Sequence, residues 1–433
     1  MADLADGGAE NAARIQVLAA GALYTPEEIP GPACVVVEGT RIRDIWPATT
    51  VEEARARLAT LAPDAPDAPS LAADVVDLGS LRLAPGFIDL HIHGFHGYDA
   101  NAGSASDLRD MAKLLPATGT TTWYPTIATT SRQHTAECVR KIAWITSGPQ
   151  DAAMAEIAGI RLEGPFISAA KKGAQYGGDI RPPDPVEMRA LAEMGRGLVR
   201  FVDFAPEEAG ADQLLAALVE LGIVPCIGHT NATYEQAMWA IAAGARHATH
   251  LFNAMSPLRH HAPGVPGALL TDDRATVEII ADGVHLAPPL LRLVLRARSS
   301  SDVALVTDAM LAAGLPDGEY EFLHRVVSVS DGTARLASGA LAGSTLTLAH
   351  AVRNMVAYTG VSWETAIAMT TTTPARIAGI DARKGRLAPG YDADLIALDA
   401  DGQVTRTWTR GALAFACEAV AERTRRSDAN MIG

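Results

Sequence analysis

The sequence predicts an α/β protein: a (β/α)₈ barrel of the TIM type, flanked by a small β-sandwich domain built from both chain ends. Three observations predict it. Between Gly86 and Asp308 short apolar runs alternate with helix-like segments, the pattern of parallel strands joined by helical crossovers. Before Gly86 and after Gly385 the texture is strand-and-turn instead. Several of the apolar runs also end in His, Glu or Asp, which is where a barrel carries its chemistry. A doubly wound sheet is the rival architecture. The expected division is 1–84 plus 385–433 for the small β domain and 85–384 for the barrel.

In chain order, residues 1–10 are small and polar and are expected to be disordered. From Gln16 to Trp46, runs such as "ACVVVEGTRIRDIWP" predict short antiparallel strands; 51–59 predicts a helix, and the Pro/Asp-rich "APDAPDAPS" (62–70) a loop. "ADVVDLGSLRLAPG" returns to strand. Barrel strands are expected at 86–91, 120–126, 157–163, 199–204, 223–229, 247–250, 276–281 and 303–308. Between them, 104–118 reads as a helix with Ser104 as N-cap and Leu108, Met111, Leu114 and Leu115 on one side. Residues 211–221 present Leu214, Leu215, Leu218 and Val219 in the same way. The tail "GRLAPGYDADLIALDADGQVTRTWTRGALAF" is again strand and turn.

The bulk numbers narrow the function. A chain of 433 residues, 48% hydrophobic and 20% charged, is long enough to bury a large core. Its net charge of −14 argues against nucleic acid and against an anionic membrane surface. A phosphorylated small molecule stays compatible, because local Arg, His and backbone N–H groups can bind it. No basic-then-apolar leader and no membrane-length run is seen, so a cytoplasmic location is expected. Cys34, Cys138, Cys226 and Cys417 are scattered without a CxxC pair and read as reduced thiols.

The strand ends carry the functional signal. In "PGFIDLHIHG", His91 and His93 stand at i and i+2 and share a face of the first strand, so both could reach one metal ion. Two hydrogen-bonded core histidines are the ordinary alternative. The third expected strand ends in Glu163, the fifth in His229, the sixth in His250 and the eighth in Asp308. Packing accounts for one such residue; five strand ends converging on one mouth point to a divalent metal site. Imidazole and carboxylate without thiolate suit Zn²⁺ first, with Fe²⁺ or another first-row ion as alternatives. Such an ion lowers the pKa of bound water to roughly 7, and Asp308 is the free carboxylate that takes the proton.

These stretches, with "RLEGPFIS", "KKGA", "GHTNATYEQ", "THLFNAMSPL", "IADGVH", "LVTDAM", "GALAGSTLTL" and the closing "GRLAPGYDADLIALD", resemble the amidohydrolase superfamily from Ala33 to Phe415. Within it they resemble the deacetylases of amino-sugar phosphates. The resemblance implies hydrolysis of the acetamide of an N-acetylated amino-sugar 6-phosphate by a homodimer carrying one or two metal ions per subunit. It implies Glu163, His229 and His250 as main metal ligands and Asp308 as the catalytic acid/base. His91 and His93 match a pair that in some members helps hold a second ion bridged by Glu163. His285, Asn253, Ala254 and Ala174 match substrate contacts, and Leu341, Ala342 and Gly343 match a backbone loop closing over the substrate.

Two positions depart from the family pattern. Gln175 stands where a substrate-contacting histidine is expected. His261 stands where an arginine clamps the phosphate across the dimer interface; Arg259, two residues earlier, either reaches instead or is a solvated loop charge. Both changes remove donors from the substrate pocket and leave the metal ligands alone. A different or unphosphorylated N-acyl sugar, or a non-catalytic sugar sensor, are the competing readings. His96 is read as a loop histidine, Lys171 and Lys172 as surface charges ahead of ligand contacts, and Trp123 and Tyr124 as core ahead of a sugar-pocket wall.

Overall fold

The computed structural model describes residues 15–25, 27–61, 74–148 and 151–417. The expectations for 1–10 and 62–70 lie outside the described residues. Eight parallel strands form the barrel: Phe87–Ile92, Thr120–Ala128, Ile160–Phe166, Val199–Phe204, Val224–Ile227, His247–Ala248, Thr276–Ile279 and Val303–Leu305, with the two-residue Glu156–Ile157 paired parallel on the second as a ninth strand of the same sheet. They pair in that order. Between the eighth and the first, a parallel bridge from Ala309 to Ile92 completes a nearly closed barrel. The rival open sheet is therefore excluded. The first three strands are buried at every residue, as parallel strands must be when helices cover one side and the barrel interior the other.

A helix follows each strand, from Ala105–Leu114 after the first to Leu348–Thr359 after the eighth. Ser104 caps the first of these in a reciprocal box with Asp107. This helix stops at Leu114 and passes into a tighter turn, Leu115–Thr118, four residues short of the α-helix expected. Pro116 is the cause, since it has no N–H to continue the ladder. In Ala211–Glu220 the leucines are buried as expected, but Val219 is exposed, one residue round from Leu218.

One element was not anticipated. Gly318–Phe322, Arg325–Ser330 and Thr333–Leu336 form a three-stranded antiparallel sheet between the eighth strand and its helix. Its middle strand alternates, with Val327 and Val329 buried and Val326 exposed, a period of two that "RVVSVS" displays openly.

Both chain ends meet in one mixed sheet, in the order Ala412–Ala416, Val404–Thr409, Leu395–Leu398, Arg82–Pro85, Ile15–Thr25, Glu27–Glu38, Arg41–Trp46, with Asp74–Asp77 also on Ile15–Thr25. Alternation along its first strand serves two cores. Leu18, Ala20 and Leu23 pack with Val35 and Leu395, while Ile15, Val17 and Ala19 pack under helix Val51–Leu61. Among the described residues no helix is long and apolar enough to cross a membrane. The four cysteines are free thiols, all buried except Cys417.

Candidate active site

At the C-terminal mouth of the barrel the expected side chains meet in two overlapping groups, His91–His93–Glu163–Asp308 and Glu163–His229–His250. Within each group the ligand atoms lie within 4.8 Å of one another. Glu163 belongs to both. Its Oε1 lies 2.9 Å from His229 Nε2 and 3.1 Å from His250 Nε2, while Oε2 lies 3.1 Å from His93 Nε2. Asp308 Oδ1 is 3.3 Å from Nε2 of both His91 and His93.

The outer nitrogens decide which atoms face inward. His91 Nδ1 lies 2.8 Å from Glu278 Oε1, His93 Nδ1 3.1 Å from the Thr126 carbonyl, and His229 Nδ1 2.8 Å from the Lys171 carbonyl. Each of these partners only accepts, so each imidazole carries its proton on Nδ1 and turns the Nε2 lone pair to the centre. There, His91 and His93 Nε2 are 3.2 Å apart, and so are His229 and His250 Nε2. Neutral lone pairs at that separation, beside two carboxylates, repel unless a cation lies among them. The donor set and its geometry therefore fit divalent metal.

The same lone pairs also attract protons. Burial opposes charge on His93, but Glu163 and Asp308 outweigh it and push it up to about 10. His250, likewise opposed by burial, is pushed up to about 9, chiefly by Glu163. Glu163 stays well below the ordinary carboxylate range despite burial, held there by His229 and His93. Metal and protons thus compete for the same lone pairs.

Beneath the ligands is a charged layer that the sequence reading did not find. Arg161, fully buried, donates to Glu278 Oε2 at 2.7 Å, Asp203 Oδ1 at 3.1 Å and Thr249 Oγ1 at 2.9 Å. Glu278 in turn accepts from His91 Nδ1, from the His250 N–H at 3.0 Å and from His247 Nε2 at 3.0 Å. One signal was available: Arg161 stands two residues before Glu163 and so on the same face of the third strand.

Three strands end earlier than their apolar runs predict. The ladders of the fifth, sixth and eighth strands stop at Ile227, Ala248 and Leu305. His229, His250 and Asp308 lie two to three residues further on, each with positive φ (45°, 27° and 49°). Non-glycine residues rarely adopt this conformation, and it turns these side chains back over the mouth.

A cavity of about 360 Å³ opens on the ligands. Ala174, Gln175, Asn253, Ala254, His285, Leu341 and Gly343 line it, as expected; Ala342 is buried behind them. His285 directs Nδ1 to Asp282 Oδ2 at 2.6 Å, which leaves Nε2 free. Arg259 and His261 are exposed on a turn and do not reach the cavity of this single chain. Lys171, read as a surface charge, lines the cavity, and its carbonyl orients His229. Phe322 of the unanticipated sheet and Leu323 in its first turn form part of the wall. Trp123 and Tyr124 are core, as expected.

Residues 82–414 match the Amidohydrolase family. The N-acetylglucosamine-6-phosphate deacetylase of Bacillus subtilis (strain 168) is 40% identical over 334 residues, covering 77% of this chain and 84% of its own. The N-acetylgalactosamine-6-phosphate deacetylase of Escherichia coli O157:H7 is 38% identical over 346 residues, covering 79% and 90%. Among solved structures, a mutant N-acetyl-D-glucosamine-6-phosphate deacetylase from Mycobacterium smegmatis, in complex with N-acetyl-D-glucosamine-6-phosphate, superposes with a TM-score of 0.83 at 33% identity. It covers 93% of this chain and 100% of its own.

Proposed function

The chain belongs to the amidohydrolase family, and we propose that it is an N-acetylglucosamine-6-phosphate deacetylase, releasing acetate and D-glucosamine 6-phosphate. The observation that carries this reading is the sharing of Glu163 between two clusters of inward-facing Nε2 atoms at the mouth of a barrel. Zn²⁺ is the proposed ion, in two sites: one held by Glu163, His229 and His250, the other by Glu163, His91, His93 and Asp308. A divalent ion there supplies Lewis acidity and lowers the pKa of a water to roughly 7.

The chain's own residues supply the rest. Asp308 takes the proton from the attacking water and delivers it to the sugar nitrogen, without which the amine is a very poor leaving group. His285 offers its free Nε2 to the substrate while Asp282 fixes the ring. Phe322 and Leu323 supply an apolar stretch of the cavity wall, which in this reading keeps bulk water from the reacting acetamide. A homodimer belongs to this proposal, with Arg259 or His261 of one subunit serving the 6-phosphate in the other. So does the division into a barrel, 85–384, and a small domain, 1–84 plus 385–433.

Acetate release from a panel of substrates tests the reading: N-acetylglucosamine 6-phosphate, its galacto epimer and unphosphorylated N-acetylglucosamine. Turnover is expected to be greatest on the first. Comparable turnover on the plain sugar removes the phosphate from the claim, and faster turnover on the galacto epimer moves the assignment to that sugar. No acetate from any of the three defeats the proposal.

A further inference from the structure

We propose that Gln175 is a positioning residue that holds Glu163 across the two cation sites, one carboxylate oxygen to each. This rests on the two-site reading above. The orientation of the Gln175 amide is fixed by its partners. The Thr129 backbone N–H donates to it at 2.7 Å, so that atom must be the amide oxygen. The NH₂ end therefore faces Glu163 and donates to Oε2. Gln175 is buried, and both of its polar ends are committed within the protein.

The consequence lies in how a carboxylate turns. The last torsion of a glutamate is broad and roughly two-fold, so Glu163 left to itself can swing both oxygens onto a cation between His229 and His250. Oε1 already lies beside those two rings, whereas Oε2 lies beside His93. A buried donor aimed at Oε2 opposes the swing, because turning away would leave a buried N–H unpaired. The strand itself adds a second restraint, since Thr129 Oγ1 donates to the Glu163 carbonyl at 3.2 Å. The His91–His93–Asp308 side thus keeps its share of Glu163 through Gln175. The residue that departs from the family's substrate-contacting histidine acts here on the metal ligand.

The test counts ions. Full-length protein stripped of metal is titrated with Zn²⁺, with bound metal per chain measured at equilibrium, and with Co²⁺ to follow each site by its visible spectrum. Wild type is expected to take up two ions. Gln175→Leu, of similar volume but without a donor, is expected to lose about 10–100-fold in affinity for the second ion, with the first changed by less than about threefold. Gln175→Asn keeps the amide but is one methylene too short to span Thr129 and Glu163, so it should show the same loss, and it serves if the leucine variant does not fold. Gln175→His, which keeps an N–H donor, should recover the second ion. Unchanged binding of both ions by the leucine and asparagine variants overturns the role of Gln175 and leaves the two-site reading standing. Equal weakening of both ions, or no recovery with histidine, reduces Gln175 to a structural part and also overturns it. A wild type that never binds a second ion overturns the two-site reading itself.

Discussion

Glu278→Gln tests whether the buried layer beneath the ligands does more than fill the barrel. Glu278 receives four N–H groups on two oxygens: His91 Nδ1 and the His250 amide on Oε1, Arg161 Nη1 and His247 Nε2 on Oε2. Burial works against its charge, but Arg161 and His91 outweigh that and hold it well below the ordinary carboxylate range. A glutamine retains one acceptor and must turn its own NH₂ toward donors. It also leaves Arg161 with Asp203 as its remaining acidic partner. Two unit charges about 4 Å apart at an effective dielectric of about 20 attract by about 4 kcal/mol, and removing one member of a buried pair costs about 3–5 kcal/mol. Asp203 offsets part of this, so the expected loss is about 3 kcal/mol. In addition, a glutamine whose oxygen stays with Arg161 and His247 turns its NH₂ toward His91, which then loses the acceptor that fixes its tautomer, and metal affinity falls by about 10–100-fold. Urea unfolding of the metal-free protein measures the first effect and Zn²⁺ titration the second. A loss under about 1 kcal/mol together with unaltered metal affinity would refute the assigned role of the layer.

Three further perturbations separate the remaining parts. Asp308→Asn is expected to reduce kcat by about 10²–10⁴-fold while substrate still binds, as measured by single-turnover kinetics and calorimetry; an unchanged kcat removes the proton-transfer role. Gly343 has φ +62° and a Cβ there would meet the Asp308 carbonyl at 2.9 Å, so Gly343→Ala should cost about 1–3 kcal/mol of backbone strain and lower kcat, read by thermal melting and acetate release. Glu156 is half-buried between Arg383 and Lys384; burial raises its pKa, but these two cations outweigh that and bring it down from 4.5 to about 2. Its folded value lies below the unfolded one, so its stabilisation is complete above about pH 4.5 and fades as pH falls toward 2. The amount is about 3 kcal/mol, and unfolding curves across that window should flatten in Glu156→Gln.

The ligands were legible because side-chain period and strand position are local properties. His91 and His93 share a face by their spacing alone, and Glu163, His229, His250 and Asp308 each end an apolar run. What was not legible depends on partners distant in sequence. Glu278 and Arg161 interrupt apolar strands as isolated charges, and only the curvature of the barrel brings them within 2.7 Å of each other. Lys171 holds His229 through its carbonyl, and backbone roles leave no trace in residue type. The Gly318–Leu336 sheet showed its period in "RVVSVS", but it lies where an αβ repeat expects a crossover helix. Gln175 was recognised as a departure, yet one partner, Thr129, lies just past the end of the second strand and the other, Glu163, in the third.

The site and the seam of the barrel are the same place, which explains why strained residues collect there. The eighth strand ends at Leu305, too soon to form a ladder with the first. Contact is made instead by single bonds. The Asp308 N–H donates to the His91 carbonyl at 2.9 Å, the His93 N–H to the Ala309 carbonyl at 2.9 Å, and the Ser344 N–H to the Asp308 carbonyl at 2.8 Å. Each of these bonds joins a proposed ligand or acid/base to the strand or loop opposite. Thr307 reinforces the join, its Oγ1 donating to buried Asp89 at 2.6 Å. Closing the barrel therefore sets the distance between Asp308 and the His91–His93 pair. A substitution that loosens the seam should then reduce catalysis before it unfolds the chain, because the seven strand-to-strand ladders hold the rest of the barrel without it.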